Sequence, residues 1–192
     1  MKNGTAKRKL KTGNGFTLAE TLLAVLILLL VSVIVATGMP AAVNAYNKIV
    51  LGANAKTMLS TAVTALHDEI GTAWKVESSA DKQSLVYFNG STGAKSKISL
   101  GDDRSIMIQG FIPLSDDLIH DVAVSGDAYP LVSGERFTPK MYVTFSGIEY
   151  VDGIVTVSGL KVCKAGDNAE LAEFEDGSGN PAELKIRVIS AD

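Results

Sequence analysis

Glu20 is the only charged residue between Phe16 and Asn47, and it stands at the mouth of an otherwise apolar run. A carboxylate in that setting is costly to hold in lipid or in a dry helical bundle unless a cation meets it. Its chemistry is therefore pairing and recognition rather than proton transfer. Other side chains could do chemistry of a more familiar kind. Cys163 is the single cysteine and would need His67 or His120 beside it to act as a nucleophile; otherwise it is a small buried residue of a strand. Asp116, Asp117 and His120 share a face if "LSDDLIHDVAV" is helical, a candidate metal site whose plain counterpart is an acidic helix start facing water. Asp176, Ser178, Asn180 and Glu183 in "EDGSGNPAE" offer oxygens at near-alternating positions, a weak calcium candidate. Pro181 stands where an EF-hand loop requires its turn glycine, and a plain hairpin connection between 170–174 and 183–189 explains the same residues.

The elements that position Glu20 come next. Five of the 18 cations, Lys2, Lys7, Arg8, Lys9 and Lys11, precede Gly15, where there is no acidic residue. With those set aside, 13 cations face 21 acidic residues, a net charge of −8. An acidic body gives no reason to expect nucleic acid along its whole surface, although a small local basic patch stays open. The 24 residues from Phe16 to Met39 span ~36 Å as helix, enough to cross a hydrocarbon layer of ~30 Å. The positive-inside rule puts the basic leader in the cytoplasm and the rest outside. An ordinary secretory signal needs an apolar region of about 7–15 residues and a small-x-small cleavage site; this run is longer, and Ala36-Thr37-Gly38 matches poorly. A permanent anchor explains the length and the cations and assigns no role to Glu20.

"GFTLAE" behind basic residues resembles the class III signal of type IV pilin and pseudopilin precursors, at Gly15, Phe16, Thr17, Leu18 and Glu20. The resemblance covers the leader and the long N-terminal helix, and the head carries no motif of that family. It implies that a prepilin peptidase cuts between Gly15 and Phe16 and methylates the new amino terminus on Phe16. It further implies that Glu20 of one subunit pairs with the Phe16 amine of a neighbour, which makes the carboxylate an assembly key. The implied partners are other pilin subunits, the peptidase, an assembly platform and the membrane. Some major pseudopilins hold calcium in a C-terminal loop, which bears on Asp176, Ser178, Asn180 and Glu183.

Gly38 and Pro40 should break the helix, as a kink or a locally melted stretch, because proline lacks an amide donor and clashes with the preceding turn. Beyond them Leu51, Ala55, Met58, Leu59, Ala62, Val63, Leu66 and Ile70 recur at steps of three and four, a stripe that must bury itself on a sheet. Gly71 is expected to begin the exit from the helix, with Trp74 as its last anchoring side chain and 16–74 as its full extent if continuous. Strands are expected at 84–90, 95–100, 104–112, 141–151, 153–163 and 183–190. Asp152-Gly153 signals a tight hairpin, and Asn89 to Gly93 a looser one. Residues 113–140 hold three of the five prolines and read as an irregular excursion, with Ser115 as N-cap of a short helix.

The expected organisation is a leader at 1–15, a transmembrane or filament-core helix at 16–39, an amphipathic second half at 40–76 and a β-rich head at 77–192. The fold class is α+β, a long N-terminal helix whose first half spans the membrane and whose second half packs on an antiparallel sheet, the lollipop of the pilin family. No phosphate-binding glycine loop and no paired-cysteine zinc spacing occurs, so the chain reads as structural and not as an enzyme. The expected function is a filament subunit, leaning to a minor pilin. A pseudopilin of a type II secretion or competence DNA-uptake apparatus is the near alternative, and only the competence case would bring nucleic acid. A membrane-tethered extracellular binding module is the distant one. The precursor would sit in the cytoplasmic membrane with its head outside, then join an extracellular filament.

Overall fold

The computed structural model describes residues 17–111, 126–135 and 137–189. Gly15 and Phe16, the segment with Asp116, Asp117 and His120, and the expected short helix lie outside them. The chain forms two compact units, Met1–Asn47 and Lys48–Asp192. Helix α1, Leu18–Gly71, begins in the first and ends in the second.

Every described residue of the first unit is exposed, including Leu22, Leu23, Val25, Leu26 and Ile27, which point to different sides of the helix. Its run is long and apolar enough to cross a membrane. The helix continues unbroken through Gly38 and Pro40, so the expected local melting is absent. Proline at this position removes only one amide donor, and the strong helix formers on both sides keep the remaining ladder.

In the second unit Ala55, Met58, Leu59, Ala62, Leu66 and Ile70 are buried, with Leu51 and Val63 partly so. They share one core with Leu85, Tyr87, Ile98, Ile148, Val157 and Ile186 from the sheets. Leu66 is fully buried there, and truncating it to alanine would cost about 2–5 kcal/mol. The layout is α+β, with helix packed on antiparallel sheets.

Among the described residues the sheets are three. The first has the order β1 (Trp74–Ser78), β2 (Ser84–Phe88), β3 (Lys95–Leu100), β4 (Ile106–Phe111) and β5 (Ala128–Pro130). Its alternation is clean: Leu85, Tyr87 and Ile98 point to the core, while Val86, Phe88 and Lys97 share the outer face. The helix ends at Gly71 and not at Trp74, because Trp74 opens β1 and stacks on Phe88 with ring centroids 4.6 Å apart. Its strand β1 was not expected, and neither was β5. Residues 104 and 105 belong to the turn before β4 rather than to the strand.

The other two sheets come largely from one hairpin. Residues 141–151 divide into β6 (Met141–Thr144) and β7 (Gly147–Val151), and 153–163 into β8 (Ile154–Ser158) and β9 (Lys161–Lys164). β6 and β9 join β10 (Glu170–Glu173) in one sheet, whereas β7 and β8 join β11 (Leu184–Arg187) in another. Each expected strand therefore bends and changes sheet. The bend lies where the Ser146 N–H and hydroxyl both donate to the Ser158 carbonyl at 2.8 Å. Gly159 follows at φ 61, and a Cβ there would collide with the Ser146 side chain. The Asp152-Gly153 turn forms as expected, joining Val151 to Ile154 with φ 50 and φ 77, the paired left-handed residues of a two-residue hairpin. Asn89 to Ala94 close the looser hairpin between Phe88 and Lys95.

Candidate functional site

Thr17 precedes the first helical residue, Leu18, and the first four amides of a helix have no intrahelical acceptor. The Thr17 N–H donates to Glu20 Oε2 at 2.8 Å and the Thr17 hydroxyl donates to the same oxygen at 3.0 Å. In return the Glu20 N–H donates to Thr17 Oγ1 at 3.3 Å. This is a reciprocal capping box, and the carboxylate also favours the positive end of the helix. The assumption that an anchor assigns Glu20 no role is thus corrected: the residue shapes the helix start by itself. The signal was present as Thr17-Leu18-Ala19-Glu20, the Ser/Thr-x-x-Glu pattern, and went unread behind the cleavage motif. Both bonds from Thr17 fall on Oε2, so a second oxygen of the same carboxylate is left for a further donor.

The weak calcium candidates do not converge. Asp176 Oδ1 accepts the N–H groups of Ser178 at 2.8 Å and Asn180 at 3.0 Å, which turns the carboxylate into its own loop. Those bonds, the Asn180 amide first, hold its carboxyl below the usual range. Glu183 instead accepts the Ser158 hydroxyl at 3.2 Å. Among the described residues no group of three His, Cys, Asp or Glu side chains gathers as a metal site would need. The segment is not a plain hairpin between paired strands either. Glu175 and Pro181 form an isolated bridge, and the turn carries the chain from the sheet of β10 to the sheet of β11.

Cys163 is buried in β9, opposite Tyr142 of β6 and Glu170 of β10. Burial pushes its thiol pKa up, which leaves little thiolate at neutral pH. His67 is exposed on the helix, and no hydrogen bond joins it to Cys163 among the described residues. The nucleophile pairing with His67 is not formed.

One polar cluster escaped the sequence reading. Glu69, on the helix, accepts the Tyr87 hydroxyl at 2.7 Å and the Asn89 side-chain amide at 2.8 Å on a single oxygen. Asn89 Oδ1 in turn accepts the N–H groups of Ser91 and Thr92 and the Ser91 hydroxyl. The sequon Asn89-Gly90-Ser91 is therefore spent on internal bonds, with Asn89 buried. These contacts lock helix to hairpin and are structural.

No protein-family model matches the chain, and the curated proteins and solved structures compared with it supply no match either.

Proposed function

We propose that the chain is a structural subunit, leaning to a minor pilin, of a type IV pilus or related extracellular filament. It is made as a single-pass membrane precursor, cut by a prepilin peptidase between Gly15 and Phe16, and assembled through its N-terminal helix. It is a substrate of enzymes rather than one. The observation that carries the reading is Glu20, the one charge in the exposed apolar part of α1 before Lys48, held in the first turn by Thr17 with part of its carboxylate left for another partner. Exposed Leu22, Leu26 and Leu30 need lipid before assembly and sibling helices after it. The Phe16 amine released by cleavage supplies a cation of matching charge. A pseudopilin of a secretion or competence apparatus would use the same chemistry, and the neighbouring genes separate the two.

The second reading is a tethered extracellular binding module, and the capping box favours it, since that contact gives Glu20 a role without any filament. Mass spectrometry of the N-terminal peptide in sheared surface material and in membranes decides between them. A peptide beginning at N-methylated Phe16 in the sheared fraction is the expected result. A terminus upstream of Gly15, found in membranes alone, would overturn the filament reading and leave the tether.

A further inference from the structure

The acidic chain gathers lysines on one face that it also lines with aromatic rings. Strand register fixes that face. Trp74, Phe88 and Lys95 lie in one row across β1, β2 and β3, and Val86, Lys97 and Gln109 in the next row across β2, β3 and β4. All are half-buried, on the side opposite buried Leu85, Tyr87 and Ile98. Lys75 adds a third ammonium by an unusual route. It occupies the left-handed region at φ 48, inside a register shift between Trp74 and Glu77, and its Nζ lies 5.1 Å from the Trp74 ring centroid and 5.9 Å from that of Phe88. Glu77 is the acidic member of the face. Asp81, Asp102 and Asp103 lie in the turns at the other end of the sheet, away from the row of Trp74 and Phe88, although Asp81 is near enough for the Lys97 charge to act on its carboxyl.

Lysines interleaved with flat rings on a half-buried outer sheet face suit a polyanion that also carries planar groups. A duplex hides its ring faces, and a polyanion without rings uses only the ammonium groups. We propose that this outer face, formed by Trp74, Lys75, Phe88, Lys95 and Lys97, binds single-stranded nucleic acid, phosphates meeting the lysines and bases stacking on the Trp74 and Phe88 pair. The proposal goes beyond the filament reading and stands or falls without it.

Trp74 is the only tryptophan of the chain, so its emission reports this face directly. The test is to titrate the full-length chain, in detergent micelles, with an oligothymidylate of about 12 nucleotides. Saturable quenching is expected, with an affinity that falls as salt rises at a log–log slope of about −2, from three lysine contacts at ~0.7 each. The double variant Lys95→Gln/Lys97→Gln, at half-buried positions of the outer face and folded by circular dichroism, should bind about 50-fold more weakly at ~50 mM salt with a slope near −0.7. Absence of quenching, or quenching unchanged in the double variant, would overturn the proposal. So would equal affinity for inorganic polyphosphate, because that ligand has charge and no rings to stack.

Discussion

The hydroxyl of Tyr87, a fully buried residue of the sheet, donates to the carboxylate of Glu69 on the helix at 2.7 Å. Burial first, and that bond second, raise the Tyr87 pKa above its ordinary value of 10.0. Tyr87→Phe should lower stability by about 1.5 kcal/mol, since Asn89 still satisfies Glu69. The same residue predicts an alkaline effect. Below pH ~10 the phenol is protonated both folded and unfolded; above it the unfolded chain loses the proton first, so stability falls with rising pH by up to about 1.4 kcal/mol per unit. Chemical denaturation at pH ~9 and pH ~11, followed by Trp74 emission, should show a smaller loss in Tyr87→Phe than in the parent.

Glu20 has two separable roles, and two substitutions divide them. Glu20→Gln keeps an acceptor for Thr17 and removes the charge, whereas Glu20→Ala removes both. If the residue pairs with an amine of a neighbouring subunit, both variants should insert and be cleaved yet fail to reach sheared filaments. Normal incorporation of Glu20→Gln would leave helix capping as its role and sink the pairing account.

Gly159→Ala tests the bend between the two smaller sheets. Its left-handed backbone costs a Cβ-bearing residue about 1–2 kcal/mol, and the new methyl must also displace the Ser146 side chain. A loss of about 2–3 kcal/mol is expected in thermal or chemical unfolding. Ser146→Gly in the same chain should return part of it.

Cys163 should behave as an inert thiol. Buried in β9, with its pKa raised by loss of solvent, it should react with iodoacetamide at pH ~8 at least tenfold more slowly in the folded chain than in denaturant, on the order expected when thiolate and access are both lost. Fast labelling of the folded chain would mean that β9 opens readily.

Much of the scaffold was legible because its signals are local. The spacing of Ala55, Met58, Ala62, Leu66 and Ile70 marks a buried helical stripe, and Asp152-Gly153 marks its turn, without knowledge of anything distant. The misses involve context. Trp74 looked like the last helical anchor, yet its ring is placed by Phe88, a residue whose pairing only the sheet reveals. The Ser-Gly pairs at 146–147 and 158–159 were readable as breaks inside strands, but that they face one another and redirect both at once depends on register. At the candidate site, Glu20 stood out by its charge in an apolar run, while the modest Thr17 that holds it did not. Glu69 was hidden for a similar reason: one carboxylate on an amphipathic helix looks solvated until Tyr87 and Asn89 arrive from later in the chain.

The bent hairpin has a consequence for cooperativity. Residues 141–164 are two runs of chain, yet they supply two of the three strands in each of two sheets. Neither sheet owns its central strand independently, because β8 and β9 are halves of one excursion separated by Gly159 and Leu160. Fraying that starts at β10 or β11 can strip an outer strand, but opening either centre pulls directly on the other. Amide exchange should therefore give Val155 and Val157 of β8 and Val162 of β9 a common protection at the level of global unfolding, with lower and unequal values along β10 and β11.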